Sequence, residues 1–219
     1  MVYFCRVNKL MGKPTLSFWD KIGILSALVA AIADILLLYS PGGNYELGYN
    51  FLKEIPEERV LWGHWLGFLF IPTQLLATQR IYENILDKNL KKLLLMLSFL
   101  MVVAGTAYHL SIGQIQQYIL SQADISESYL KLIKPIEALV PVLLIIISVA
   151  VGWAIYQKQT RYKRWLIFFL PVFGYSGCLL WYILLPVVGN ALIAAGFNLS
   201  MALFYIASYY AETPNARAS

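Results

Sequence analysis

The stretch DILLLYSPGGNYELGYNFLKEIPEERVLWGHWLGFLFIPTQLLATQ, Asp34 to Gln79, decides how the chain reads. Asp34 sits near the end of an apolar run, Ile22–Tyr39. A polar excursion follows, and the chain turns apolar again at Leu61 with Trp62, Gly63, His64, Trp65 and Gly67. An acid closes one apolar segment and an imidazole opens the next, with a compact hydrophilic cap between them.

Working outward, the same alternation fills the chain. Of 219 residues, 59% are hydrophobic and 13% charged, where soluble domains carry about 25% charged residues. Apolar runs near or above 18 residues recur, which reads as an all-α, polytopic transmembrane helix bundle. The ten-residue alternating segments of a membrane β-barrel are absent. Cys5 and Cys178 fall in separate segments and form neither a disulfide pair nor a metal-type spacing. The net charge of +5 sits on the links between spans, so it is assigned to cytoplasmic loops and not to nucleic acid.

Six spans are expected, in a single transmembrane domain over residues 19–210. Residues 1–18 form a short basic tail with Arg6, Lys9 and Lys13. The first span covers about Trp19–Tyr39; a cleavage-like Ala31-Ile32-Ala33 lies inside it, but the apolar run continues through Leu38, too long for a signal peptide. The second covers Leu61–Gln79 and the third begins at Leu93. The fourth covers Pro135–Tyr156, with Pro135 in its first turn. Trp165–Tyr210 is too long for one helix, and Pro186, Gly189 and Asn190 mark a turn that divides it in two. The loop at 40–60 is expected outside as an ordered cap, with Glu54, Glu57, Glu58 and Arg59 facing water. Residues 211–219 read as a disordered tail.

Charges give the orientation. Arg80, Lys88, Lys91 and Lys92 follow span two, and Lys158, Arg161, Lys163 and Arg164 follow span four. The opposite loops hold Lys53 and Arg59, then Lys131 and Lys134. The bias puts both termini in the cytoplasm of a multi-pass plasma-membrane (inner-membrane) protein. Trp19, Trp153 and Trp165 fall at the inner interface, and Trp62, Trp65 and Trp181 at the outer. No internal repeat supports an inverted-repeat transporter.

Four ionisable residues inside the spans, Asp34, His64, His109 and Glu137, lie at one depth, roughly 3–8 Å from the outer boundary. Small and polar residues share their helix faces: Ser26 and Ala30 with Asp34; Gly67, Gln74 and Thr78 with His64, within about 80° of arc; Ser98, Gly105 and Gly113 with His109; Pro141 and Ser148 with Glu137. Charges at bilayer depth are costly, so their retention points to a use. Each also has a plainer reading. Glu137 complements a helix N-terminus, His64 anchors at the interface, His109 bonds a neighbouring helix, and Asp34 makes an Asp–His or Asp–Tyr bond. Tyr39, Gln74, Tyr108, Tyr175 and Asn198, with Tyr182 and Asn190, are candidate lining residues.

Asp34-Ile-Leu-Leu-Leu-Tyr39, Ile55-Pro56 with Arg59, Gly63-His64-Trp65-Leu66-Gly67 and Gly105-x-x-Tyr108-His109 form a recognisable layout. It resembles a group of uncharacterised six-helix bacterial integral membrane proteins, over roughly residues 30–115. The resemblance implies the fold and carries no activity or catalytic residue.

Three classes of function follow. The first is a membrane enzyme or binding protein for a lipid-like or amphipathic small molecule, with Asp34, His64, His109 and Glu137 as acid–base groups or a His₂-carboxylate metal site. The second is a proton-coupled small-molecule or cation transporter using the same cluster. The third is a b-haem protein ligated by His64 and His109. No P-loop, dinucleotide fingerprint or nucleophile elbow is present. No lysine in the last span suits a retinal protein. The residues specify no cofactor, and the partner they imply is the bilayer.

Overall fold

The computed structural model describes residues 16–40, 45–121 and 127–213. The basic tail up to residue 15, the turn at 41–44, residues 122–126 of the expected external link, and residues 214–219 of the polar tail lie outside the described residues. Among the described residues six α-helices run in order: α1 (Phe18–Leu38), α2 (Glu57–Tyr82), α3 (Lys88–Leu120), α4 (Glu127–Tyr156), α5 (Pro171–Leu184) and α6 (Pro186–Ala211). A 3₁₀ helix at Tyr45–Glu54 precedes α2, and another at Arg164–Phe169 precedes α5. Among the described residues there is no strand, only isolated backbone bridges of Ile85 with Thr160 and of Tyr162 with Glu212.

The starts of α1 and α3 are written locally. Ser17 and Asp20 form a reciprocal capping box on α1, and Asp87 accepts from the Asn89 and Leu90 amides at 2.8 Å to start α3. The buried face of α1 is small: Gly23, Ser26, Ala27, Ala30, Ala31 and Ala33, with Asp34 and Leu37. That lets α1 lie between α2 and α6. A methyl on Gly23 would sit 2.3 Å from the Ala77 Cβ, and one on Gly63 would sit 2.8 Å from the Ala33 carbonyl. The opposite face carries exposed Leu25, Leu28 and Ile32, as suits a lipid-facing surface. Among the described residues, five helices are long and apolar enough to cross a membrane: α1, α2, α3, the Lys131–Tyr156 part of α4 and the Gly189–Ala211 part of α6. This is a membrane-embedded helical protein.

The later elements depart from the expected boundaries. The fifth expected span is divided, because Leu170 is extended (φ −60°, ψ 143°) and Pro171 opens a new helix of 14 residues. At about 1.5 Å per residue α5 alone is shorter than a bilayer core. The α5–α6 turn is made at Leu185, with Pro186 in the first turn of α6; Gly189 and Asn190 lie within the helix. Gly189 is needed there for close approach, since a methyl would fall 2.2 Å from the Tyr182 Cα. Helix α4 begins at Glu127, so Pro135 and Pro141 both lie inside it.

The two ends of the bundle are built differently. At one, the links after α2 and α4 and the end of α6 are laced through backbone: Leu86 N–H to Gln159 O, Arg161 N–H to Asn84 O, Lys163 N–H to Ala211 O and Thr213 N–H to Arg161 O, all at 2.9–3.1 Å. At the other, the 3₁₀ segment forms a cap whose Phe51 and Leu52 pack with Leu37, Val60, Ile112, Ile115 and Ile133. Of the expected cap, residues 45–54 form this 3₁₀ segment and bury Phe51 and Leu52. Arg59 differs from expectation. Instead of facing water, its Nε donates to Leu36 O at 3.0 Å and its Nη2 to Ile35 O at 2.6 Å and to Tyr39 O. These carbonyls lie at the end of α1, where helical partners run out; Ile35 O also accepts from the Tyr39 amide at 3.1 Å.

Candidate functional site

Asp34, on the buried face of α1, meets α3 and α6. His109 Nε2 lies 2.7 Å from its Oδ1, and Asn198 Nδ2 donates to its Oδ2 at 2.7 Å. Asn198 Oδ1 in turn accepts from Gln74 Nε2 of α2 at 2.7 Å. All four side chains are buried. The donors run in one direction, from Gln74 to Asn198 to Asp34 and from His109 to Asp34. They converge on the Asp34 carboxylate, each bond polarising the next. With Asp34 ionised, the protonated imidazole nitrogen is Nε2. Nδ1 is buried without a hydrogen-bond partner among the described residues. It lies against Gly67, where a methyl would sit 2.2 Å away. Gly67 is therefore the residue that makes room for the histidine.

This network forms one wall of a cavity of about 720 Å³, within the ~300–1,000 Å³ of small-molecule sites. Its apolar lining includes Ile71, Met101, Val102, Val140, Phe197 and Met201. Toward the laced end it meets Thr78, Ser98 and Tyr205. There the Thr78 and Tyr205 hydroxyls are 3.0 Å apart, and Tyr82 shares a hydrogen bond with Ser98 at 2.9 Å. Toward the cap it meets Tyr49, Tyr108, Lys134 and Glu137. Tyr49 donates to Glu137 Oε2 at 2.8 Å. Burial, and then the Glu137 carboxylate, push the Tyr49 phenol well above its ordinary pKa, so it remains a donor.

The sequence-derived residues separate into two groups. Asp34, His109, Glu137, Gln74, Tyr108, Tyr175 and Asn198 all line this cavity. His64 does not. It is half-buried in the α2–α3 seam, with its Nδ1 3.3 Å from where a Gly113 methyl would stand and its ring edge-on to Trp65. The arc it shares with Gly67 and Gln74 is wide enough to carry it from the wall into the seam. Tyr39 lies beyond the end of α1, where helical phase no longer applies, and stacks under Arg59 at 5.8 Å. Tyr182 and Asn190 are also absent from the lining; Asn190 Nδ2 donates to Ser40 O at 3.4 Å.

These positions bear on two chemistries. Among the described residues no three His, Cys, Asp or Glu side chains gather as a metal site; His64 approaches His109 from the backbone side, and Glu137 is engaged by Tyr49. Both ring nitrogens of His109 are taken up, Nε2 by Asp34 and Nδ1 against Gly67, which leaves neither open to a haem iron. Glu137 lies ten residues past the start of α4, so it is not a charge on a helix terminus.

The comparisons agree with the layout read from the sequence. A family model, a family of unknown function (DUF6796), matches residues 17–212. The chain belongs to that family. The match takes in all six helices and every lining residue named above. No curated protein and no solved structure matches the chain. Lys134, Met101 and Tyr205 also line the cavity without having been named from the sequence, whereas Thr78 and Ser98 were read there as polar residues sharing the faces of Gln74 and His109. For Lys134 a signal existed, three residues before Glu137 on the same helix face.

Proposed function

We propose that this DUF6796 protein is a six-span plasma-membrane protein, with both termini cytoplasmic, whose bundle binds a lipid-like or amphipathic small molecule. The observation that carries the binding reading is the cavity: apolar along its middle, polar at the cap, and bounded on one wall by the hydrogen-bonded Asp34–His109–Asn198–Gln74 network. The pair presents little free acid or base. Both Asp34 oxygens are engaged and the open imidazole nitrogen faces Gly67. Binding therefore fits this geometry better than acid–base catalysis. For the sixth span, the 3₁₀ helix at Arg164–Phe169 adds about 12 Å to roughly 21 Å of α5, which together match a ~30 Å core. The orientation rests on Arg80, Arg161, Lys163 and Arg164 at the laced end.

Gly105 offers a clean test. It lines the cavity, and a methyl there would meet only Ile71 Cγ2 at 3.8 Å. Gly105→Trp should fill the cavity without disturbing the helix. Native mass spectrometry of the full chain in lipid nanodiscs should show an amphiphile retained by the wild type and lost in the variant, with unfolding temperature maintained. Equal retention in a folded variant would overturn the binding reading.

A further inference from the structure

The mouth of the cavity can be located from exposure. Lining residues on α1, α2 and α6, such as Asp34, Ile71, Gln74, Thr78, Asn198, Met201 and Tyr205, are buried. On α4, by contrast, Lys134, Glu137 and Ala138 line the same cavity and are exposed. Helices α4 and α5 meet where the Val172 amide donates to Ser148 Oγ at 3.3 Å, and from there toward the cap the lining of α4 opens outward. The open side is thus the cap-proximal part of α4, facing α5.

Two opposite charges stand at that opening. Lys134 and Glu137 are one helical turn apart on one face of α4, a spacing at which oppositely charged side chains commonly pair. They form no ion pair with each other among the described residues. Glu137 is instead held through Oε2 by the Tyr49 hydroxyl. The Lys134 ammonium makes no hydrogen bond or ion pair with any described residue. The mouth therefore presents a fixed carboxylate with one oxygen open and a separate, unpaired ammonium. Behind them lies an apolar interior that runs along α6 from Ile193 to Tyr205, about 18 Å.

We infer that the cavity takes a single-chain amphiphile with a zwitterionic head group, its anionic part on Lys134, its cationic part on Glu137, and its tail between Val140, Met101 and Phe197. This inference rests on the binding reading above and adds the head group to it. A wholly anionic head would meet the Glu137 carboxylate, and a wholly cationic one the Lys134 ammonium. Only a head carrying both charges satisfies both walls. Tyr49 and Tyr108 line the cavity at this end and add aromatic rings, which attract a cationic group.

The test uses three C12 probes: dodecylphosphocholine, dodecyl phosphate and dodecyltrimethylammonium. Each is titrated onto the full chain in lipid nanodiscs and scored by native mass spectrometry. Wild type should retain the zwitterion about tenfold better than either singly charged probe, the size expected of one charge-assisted contact. Lys134→Gln should shift the preference to the cation and Glu137→Gln to the anion. Phosphocholine without a tail should not compete; if it does, the ligand is a soluble zwitterion and the amphiphile assignment falls. If Gly105→Trp removes all three probes while Lys134→Gln and Glu137→Gln leave the preference unchanged, the head-group inference fails and the cavity reading survives. If Gly105→Trp leaves all three bound, both fail.

Discussion

The laced end and the cap end of this bundle solve the same problem, joining helices, with different bonds. At the laced end, backbone amides and carbonyls of two links and the end of α6 pair directly. Tyr162 is buried among them, donating to Ile81 O at 3.0 Å and accepting from Asn84 Nδ2 at 3.1 Å, and Arg80 reaches Glu212 at 3.2 Å. At the cap end, no backbone pair joins separate elements among the described residues. Side chains do the joining: Arg59 onto the end of α1, Gln116 Nε2 onto Leu52 O and Ile55 O at 3.1 and 2.7 Å, and Ser40 onto Glu54. Backbone lacing closes an end whatever the side chains are. Side-chain clasps hold each by its own geometry and release one at a time. The cavity is sealed by the first kind and opens beside the second.

The largest effect should come where the two regimes join. Asp34 ties the cap-side half of α1 to α3 and α6, and removing it leaves His109 and Asn198 buried without their acceptor. Asp34→Ala should cost about 3–5 kcal/mol of unfolding free energy. Adding His109→Ala should cost little more, since the two residues act as one unit. Additive losses in denaturant unfolding would mean that they are independent anchors, and the network would not be the join between the ends.

A pair of smaller changes addresses the contrast directly. Arg59→Ala removes charge-assisted bonds to three helix-terminal carbonyls and should cost about 2–3 kcal/mol. Hydrogen exchange should then quicken locally, at Ile35–Tyr39 and in the cap, while the links at 83–87 and 157–163 stay protected. Tyr162→Phe should cost about 1–2 kcal/mol and open no segment by itself, because the backbone lacing around it persists. If both variants quicken exchange in the same places, the two ends are not held differently.

How much of this was legible depends on what kind of signal each feature left. Hydropathy marked α1 to α4 and α6, since a span is a composition before it is a shape. Asp34 and His109 were legible as well, because a charge in an apolar run with small residues one turn away needs an interior partner. Three of the departures show why the rest was not legible. Pro171 was written in the chain, but an uninterrupted apolar run hid the break at Leu170. His64 shared depth and rough phase with the cavity residues, and a few tens of degrees of helix rotation separate a wall from a seam. Arg59 was grouped with Glu54, Glu57 and Glu58 as a water-facing charge; its partners are carbonyls some twenty residues earlier, and a backbone acceptor leaves no trace in side-chain pattern. The cavity itself, made by Gly105, Val140 and Phe197 from three helices, is a property of packing that no single segment encodes.

The smallest effect belongs to Tyr49, the clasp nearest the mouth. Its hydroxyl donates to an exposed carboxylate, so Tyr49→Phe should cost about 1 kcal/mol at neutral pH. The pH dependence is more telling. Burial and Glu137 raise the phenol's folded-state pKa above its ordinary value, so the folded chain keeps a proton that the unfolded chain releases near pH 10. The contribution of Tyr49 is therefore fully present below about pH 10 and is lost as pH rises from there toward the raised folded value. Other buried tyrosines titrate in the same range, Tyr162 among them, so the quantity to read is the gap between wild type and Tyr49→Phe. That gap in unfolding free energy should be steady from about pH 7 to pH 9 and shrink by about pH 11. A constant gap across the range would place Tyr49 in water with an unperturbed phenol. The cap would then be a loose cover instead of a clasp, and the difference between the two ends would lose its cap-side half.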